Sequence, residues 1–105
     1  MIKLIFTGFM IMMFIRTLQI QFNIPGAGSL KDKRQVLQSL IIKIRQKFNV
    51  SIIESDFHGQ WNRSELGLAI LGNQNQQVER FEQTIVDFIE EFYPVEITQV
   101  IVNDY

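Results

Sequence analysis

The chain has 105 residues, 47% apolar and 20% charged, with a formal net charge of −1 and no cysteine. That suffices for one domain and not for two, and the balance is that of an ordinary globule. It excludes disulfides, thiol chemistry, the common cysteine zinc sites and a global basic field, so any contact with nucleic acid has to be local.

Residues 1–15 are almost wholly apolar, with Lys3 near the front. A signal peptide would need a small-residue cleavage site, which is missing. A membrane span would need about 20 apolar residues, and Arg16 ends the run too early. The reading that remains is a first strand under way by Phe14, with residues 1–12 as an apolar extension. That extension is either an added strand or a product of where the chain was taken to begin, since Met10, Met12 and Met13 are alternative starts.

From Arg16 to Ile24 the residues alternate, with Leu18, Ile20, Phe22 and Ile24 on one face and Thr17, Gln19, Gln21 and Asn23 on the other. This is a half-buried strand. Pro25 ends it, Gly26 and Gly28 supply a turn, and Ser29 with Asp32 reads as a capping box. A helix to about Lys47 or Phe48 follows. Its buried face is Leu30, Leu37, Leu40, Ile41, Ile44 and Phe48, while Ile42 points away as a candidate interface residue. Phe48–Glu54, with the β-branched run Val50-Ser51-Ile52-Ile53, reads as the second strand, Ser55–Ser64 as a hairpin loop and Glu65–Leu71 as the third strand. Asn73 or Asn75 is expected to cap a second helix, whose stripe is Val78, Phe81, Ile85, Phe88, Ile89 and Phe92 and whose stop is Pro94. Val95–Val102 is the last strand, and its alternation changes phase, as at a bulge. The order βαββαβ with right-handed crossovers predicts an α+β, ferredoxin-like sandwich over residues 13–105: a four-stranded antiparallel sheet with both helices on one face.

From about Met13 onward the chain resembles the YlxP-like family of small bacterial proteins, a domain of unknown function. The residues that carry this are Ile24-Pro25, Ser29-Leu30-Lys31-Asp32-Lys33-Arg34, Arg45–Phe48 with Asn49-Val50-Ser51, Trp61 and Leu66-Gly67. The resemblance implies a ferredoxin-like fold, self-association and a cytoplasmic setting. By gene neighbourhood it also implies an association with RNA or the ribosome. It supplies no catalytic residues.

Three segments are candidates for function. At the start of the first helix, free backbone N–H groups and the positive dipole end meet Ser29, Lys31, Lys33 and Arg34, which together form a candidate anion or RNA site. Between Ser29 and Phe48 there are six basic residues and one acid, whereas the second helix has five acids and Arg80 alone. This segregation suits RNA contact, pairing with another copy or simple attraction between neighbouring helices. The open sheet face carries no aromatic residue at its outward positions, which excludes base stacking of the RNA-recognition-motif kind, and its small and polar residues suit packing in a dimer. The loop Asp56–Arg63 brings Glu54, Asp56 and His58 near one another in sequence, too sparse a set to define a metal site. It also holds Trp61, a candidate interface residue. No catalytic constellation can be built from spacing. The expectation is a non-enzymatic cytoplasmic protein without cofactor or membrane segment. It self-associates, most simply as a dimer, and contacts RNA or the ribosome through the basic start of its first helix. The alternative is a self-associating interaction or regulatory module with no nucleic-acid role.

Overall fold

The computed structural model describes the backbone of residues 2–6 and 9–105 and the side chains from Met12 onward. Residues 1, 7 and 8 of the N-terminal extension lie outside the described residues. Five strands and two helices follow in order: β1 (Ile2–Phe6), β2 (Phe9–Asn23), α1 (Leu30–Lys47), β3 (Ser51–Asp56), β4 (Arg63–Gly72), α2 (Asn75–Phe92) and β5 (Glu96–Asp104). β1 pairs antiparallel with the first part of β2, Ile2 opposite Met13 and Phe6 opposite Phe9. From Phe14 on, the same strand runs through the middle of a four-stranded antiparallel sheet with lateral order β3-β4-β2-β5. Setting β1 aside, the element order is βαββαβ and the architecture is the α+β, ferredoxin-like one.

Period-2 alternation places Leu18, Ile20, Phe22 and Ile24 beneath the helices, where they meet Leu66, Leu68 and Ile70 of β4 and Ile52 of β3. α1 contributes Leu37, Leu40 and Ile44, α2 contributes Val78, Ile85 and Ile89, and Phe48 fills the end of the layer. Phe48 meets the edges of Phe81 and Phe88 at centroid distances of 6.2 and 6.0 Å. Each buried branched side chain contributes about 1.5–3 kcal/mol, so this layer is the main favourable term in folding.

Several expectations need correction. Leu30, assigned to the buried face of the first helix, is 37% exposed, and that face instead buries Lys33 at 1%. Phe92, assigned to the stripe of the second helix, is 62% exposed. At the start of α2 the capping position belongs to Gln74, which makes no side-chain cap bond, while Asn75 reaches along the helix to Glu79. The capping box at α1 is half as expected. Ser29 Oγ accepts from Asp32 N–H at 3.1 Å, but the Asp32 carboxylate takes Gly28 N–H at 3.0 Å and not that of Ser29. The phase change in the last strand is real: the β2–β5 register shifts between Gln21 and Phe22, which pair with Gln99 and Ile97.

Candidate interaction surfaces

The start of α1 does not form the anion cradle expected of it. The Ser29 side chain is already spent on Asp32 N–H, and the Asp32 carboxylate stands at the mouth of the helix, where it would repel an anion. Lys31 and Arg34 are exposed. Lys33 points into the protein, because it lies one turn before Leu37 and two turns before Leu40 on the same helix face. Its ammonium donates to the carbonyls of Phe57 at 2.7 Å and Gln60 at 2.6 Å and sits 3.0 Å from Glu54 Oε2. Three donors therefore meet three acceptors, and none is left for a phosphate. Ser64 Oγ donates to the same Glu54 oxygen at 2.6 Å. Lys33 is thus withdrawn from the anion site and becomes the tie between α1 and the β3–β4 loop.

The loop is built around that tie. Phe57 adopts a left-handed φ of 62°, its N–H is bonded to the Asp56 carboxylate at 2.7 Å, and Gln60 N–H closes the turn on the Phe57 carbonyl at 3.0 Å. Arg63 stacks its guanidinium 3.8 Å from the Phe57 ring centroid. Trp61 stands 44% exposed beyond the turn. His58 Nε2 donates to the Glu54 carbonyl at 3.1 Å. Among the described residues no three His, Asp or Glu side chains converge in a metal-holding group, so Glu54, Asp56 and His58 are not brought together as ligands. A small cleft of about 140 Å³ beside His58 is lined by Lys33, Arg34, Gln38 and Glu54, but Lys33 and Glu54 are committed to each other and to the loop.

The open sheet face has a different chemistry. Its outward row includes Thr17, Gly67, Ala69 and Ile53 around a shallow groove of about 400 Å³, and Leu71 beyond it; Ile53 and Leu71 are 63% and 58% exposed. Gly67 keeps this face flat: a Cβ there would lie 3.2 Å from that of Ser55. Towards one end sits Glu65, a carboxylate that sequence reasoning missed, only 4% exposed. It accepts from Gln21 at 2.7 Å, Ser55 at 2.7 Å and Gln19 at 3.2 Å. The Gln21 bond, helped by Ser55 and Gln19, lowers its carboxyl pKa against the opposing effect of burial. The signal for this was present, since Gln19 and Gln21 alternate on the polar face of the first strand, but the acceptor lies 46 residues away from Gln19.

Ile42, the other candidate interface residue, is 51% exposed and lines a second groove with Gln38, Ile41, Arg45, Ile52 and Ile53 along the outer side of α1. Trp61 is not among the residues lining it. On the helix side of the sheet Arg16 is buried, with a bidentate pair to Asp104 at 2.6 and 2.9 Å and a bond to Glu82 of α2 at 3.0 Å. Arg16 lowers the Asp104 carboxyl pKa, and Asp104 in turn raises that of Arg16.

The family model described as "Protein of unknown function (DUF503)" matches residues 15–102. The chain belongs to this family. The match covers the sandwich and leaves β1 and the first part of β2 outside it. The "Uncharacterized protein YlxP" of Bacillus subtilis (strain 168) is 39% identical over 75 residues, which span 71% of this chain and 82% of that relative. The resemblance carried by Ser29–Arg34 and the Leu66-Gly67 pair is therefore a family relation. Within the family frame, Lys33 and Ser29 of that identifying segment have structural work in this chain: one ties the loop, the other caps the helix.

Proposed function

We propose that this chain is a non-enzymatic protein-interaction module of the cytoplasm that self-associates. The observation that carries the reading is the open sheet face, where small residues and the exposed Ile53 line a shallow groove that holds no cation and no acid–base pair among the described residues, and Leu71 stands exposed on the same face. Small outward side chains let another protein approach the sheet closely, and two exposed branched residues give it apolar area to cover. The commitment of Lys33, Glu54 and Ser64 to the loop supports the non-enzymatic part, because it removes the convergent polar groups that a pocket near His58 would need. Among the described residues no helix is long and apolar enough to cross a membrane.

A second reading, contact with RNA or the ribosome, keeps one supporting observation: Lys31 and Arg34 are exposed at the start of α1. One experiment separates the two. Tagged chain is recovered from lysate with and without nuclease, beside Ile53→Lys/Leu71→Lys and Lys31→Ala/Arg34→Ala variants. Nuclease-resistant partners that are lost with the sheet-face variant support the interaction module. Partners lost on nuclease treatment and with the Lys31/Arg34 variant overturn it in favour of nucleic acid.

A further inference from the structure

The two edges of the sheet are finished differently. In the β3–β4 ladder the outward-facing carbonyls of the edge strand belong to Ile52 and Glu54. Both are occupied by side chains: Arg45 of α1 donates to Ile52 O at 3.1 Å and His58 donates to Glu54 O at 3.1 Å. Such capping is a way of closing an edge against further strands. β5 forms the other edge. Tyr105 N–H donates to the Ile15 carbonyl at 2.9 Å, and this sets the phase of the β2–β5 ladder. Gln99, Ile101 and Asn103 turn their backbone groups to β2, and Val100, Val102 and Asp104 turn theirs outward. Among the described residues no side chain or backbone group bonds to the outward groups of Val100 or Val102. The stretch between Glu96 and Asp104, Ile97-Thr98-Gln99-Val100-Ile101-Val102-Asn103, has no charge and is rich in β-branched residues. A long, uncharged, uncapped edge of this kind is a template for pairing.

We infer that β5 is the strand through which two copies of this chain join, antiparallel, into one eight-stranded sheet. This deepens the self-association proposed above and rests on it. A second copy fits better than an unrelated strand, because β5 is complementary to itself. With a two-fold axis at Ile101, Val100 of one copy faces Val102 of the other, giving two hydrogen-bonded pairs of β-branched residues. In that register Asp104, already neutralised by Arg16, faces Thr98, and Glu96 falls beyond the end of the pairing, so no like charges meet. Val102, 38% exposed at the rim of the helix layer, gains a neighbour. Among the described residues β5 is the open edge of the four-stranded sheet, because the β3 edge is capped. Pairing of β5 with itself about a two-fold axis uses that edge in both copies, so this contact closes at two and does not extend into a fibre.

The test uses the whole chain. Sedimentation across a concentration series should give a species of twice the 12.3 kDa chain mass. Val102→Pro removes only an outward N–H, which an edge strand tolerates, and should leave a folded monomer by circular dichroism. As a measurement that needs no variant, the amides of Val100 and Val102 should exchange slowly in the dimer and lose that protection on dilution. A dimer that survives Val102→Pro, or whose Val100 and Val102 amides exchange freely, overturns the edge. If that dimer instead dissociates in Leu71→Lys, self-association stands and runs through the open face. A wild-type chain that stays monomeric throughout overturns the self-association reading itself.

Discussion

Lys33 shows how one side chain can look functional in sequence and be structural in the fold. It sits in a basic cluster at a helix start, but its position on the Leu37–Leu40 face turns it inward to two carbonyls and Glu54. Removing one partner of a buried pair strands the other, at a cost of about 3–5 kcal/mol. Lys33→Ala should therefore lower stability in urea by about that amount and raise the mobility of Trp61, read by fluorescence anisotropy, whereas Lys31→Ala should leave both unchanged. Glu65 is the counterpart on the open face. Its folded-state pKa lies below its unfolded value, so its contribution is complete above the ordinary carboxylate range and is lost as pH falls through the folded value. Asp104 behaves in the same direction through Arg16. The chain should lose stability below about pH 4. Glu65→Gln, which turns an amide NH2 towards three donors, should cost about 1.5–3 kcal/mol at neutral pH and flatten the acid limb of the stability profile. The burial of Lys33, Glu65 and Arg16 was not legible. Local periodicity reports which face a residue occupies, and the partners that make burial tolerable lie 24 residues from Lys33, 46 from Gln19 and 88 from Arg16.

At the scale of elements, legibility was high wherever one face is apolar. The span of α1, the outward and inward rows of β2 and β4, and the irregularity in β5 all follow from side-chain spacing. Helix ends were less legible, because several polar residues compete for the same backbone donors. Ser29 won at α1, and Gln74 took the position at α2 without a side-chain bond. Ser29→Ala should cost about 1 kcal/mol in thermal or urea unfolding. The edges of the sheet were not legible at all. Neither Arg45 nor His58 announces itself as an edge cap, since each bond depends on how the next element packs. The Ser55–Ser64 loop was drawn too long for the same kind of reason: β3 continues to Asp56 through a register shift after Glu54, and β4 begins at Arg63.

Across the whole molecule, the opposite charges of the two helices turn out not to be paired with each other. Among the described residues no ion pair joins α1 to α2; besides their apolar packing, Lys47 lies over the Phe88 ring at 5.2 Å and Ser39 bonds to Tyr93, just past the end of α2, at 3.2 Å. The segregation seen in sequence is therefore not consumed by ion pairs between the two helices. The sandwich itself is tied across the full length of the sequence. β2, the central strand, pairs on one side with β4 and on the other with β5, and Arg16 is clasped to Asp104. During synthesis the middle of the sheet is made first and one of its neighbours last. Until Glu96–Asp104 has emerged, Ile15, Thr17, Gln19 and Gln21 present an unfilled ladder, and closure across so long a separation makes folding slow. The half-made chain is thus the stage at which this protein is most open to capture by a wrong strand, and completing β5 is what ends that exposure.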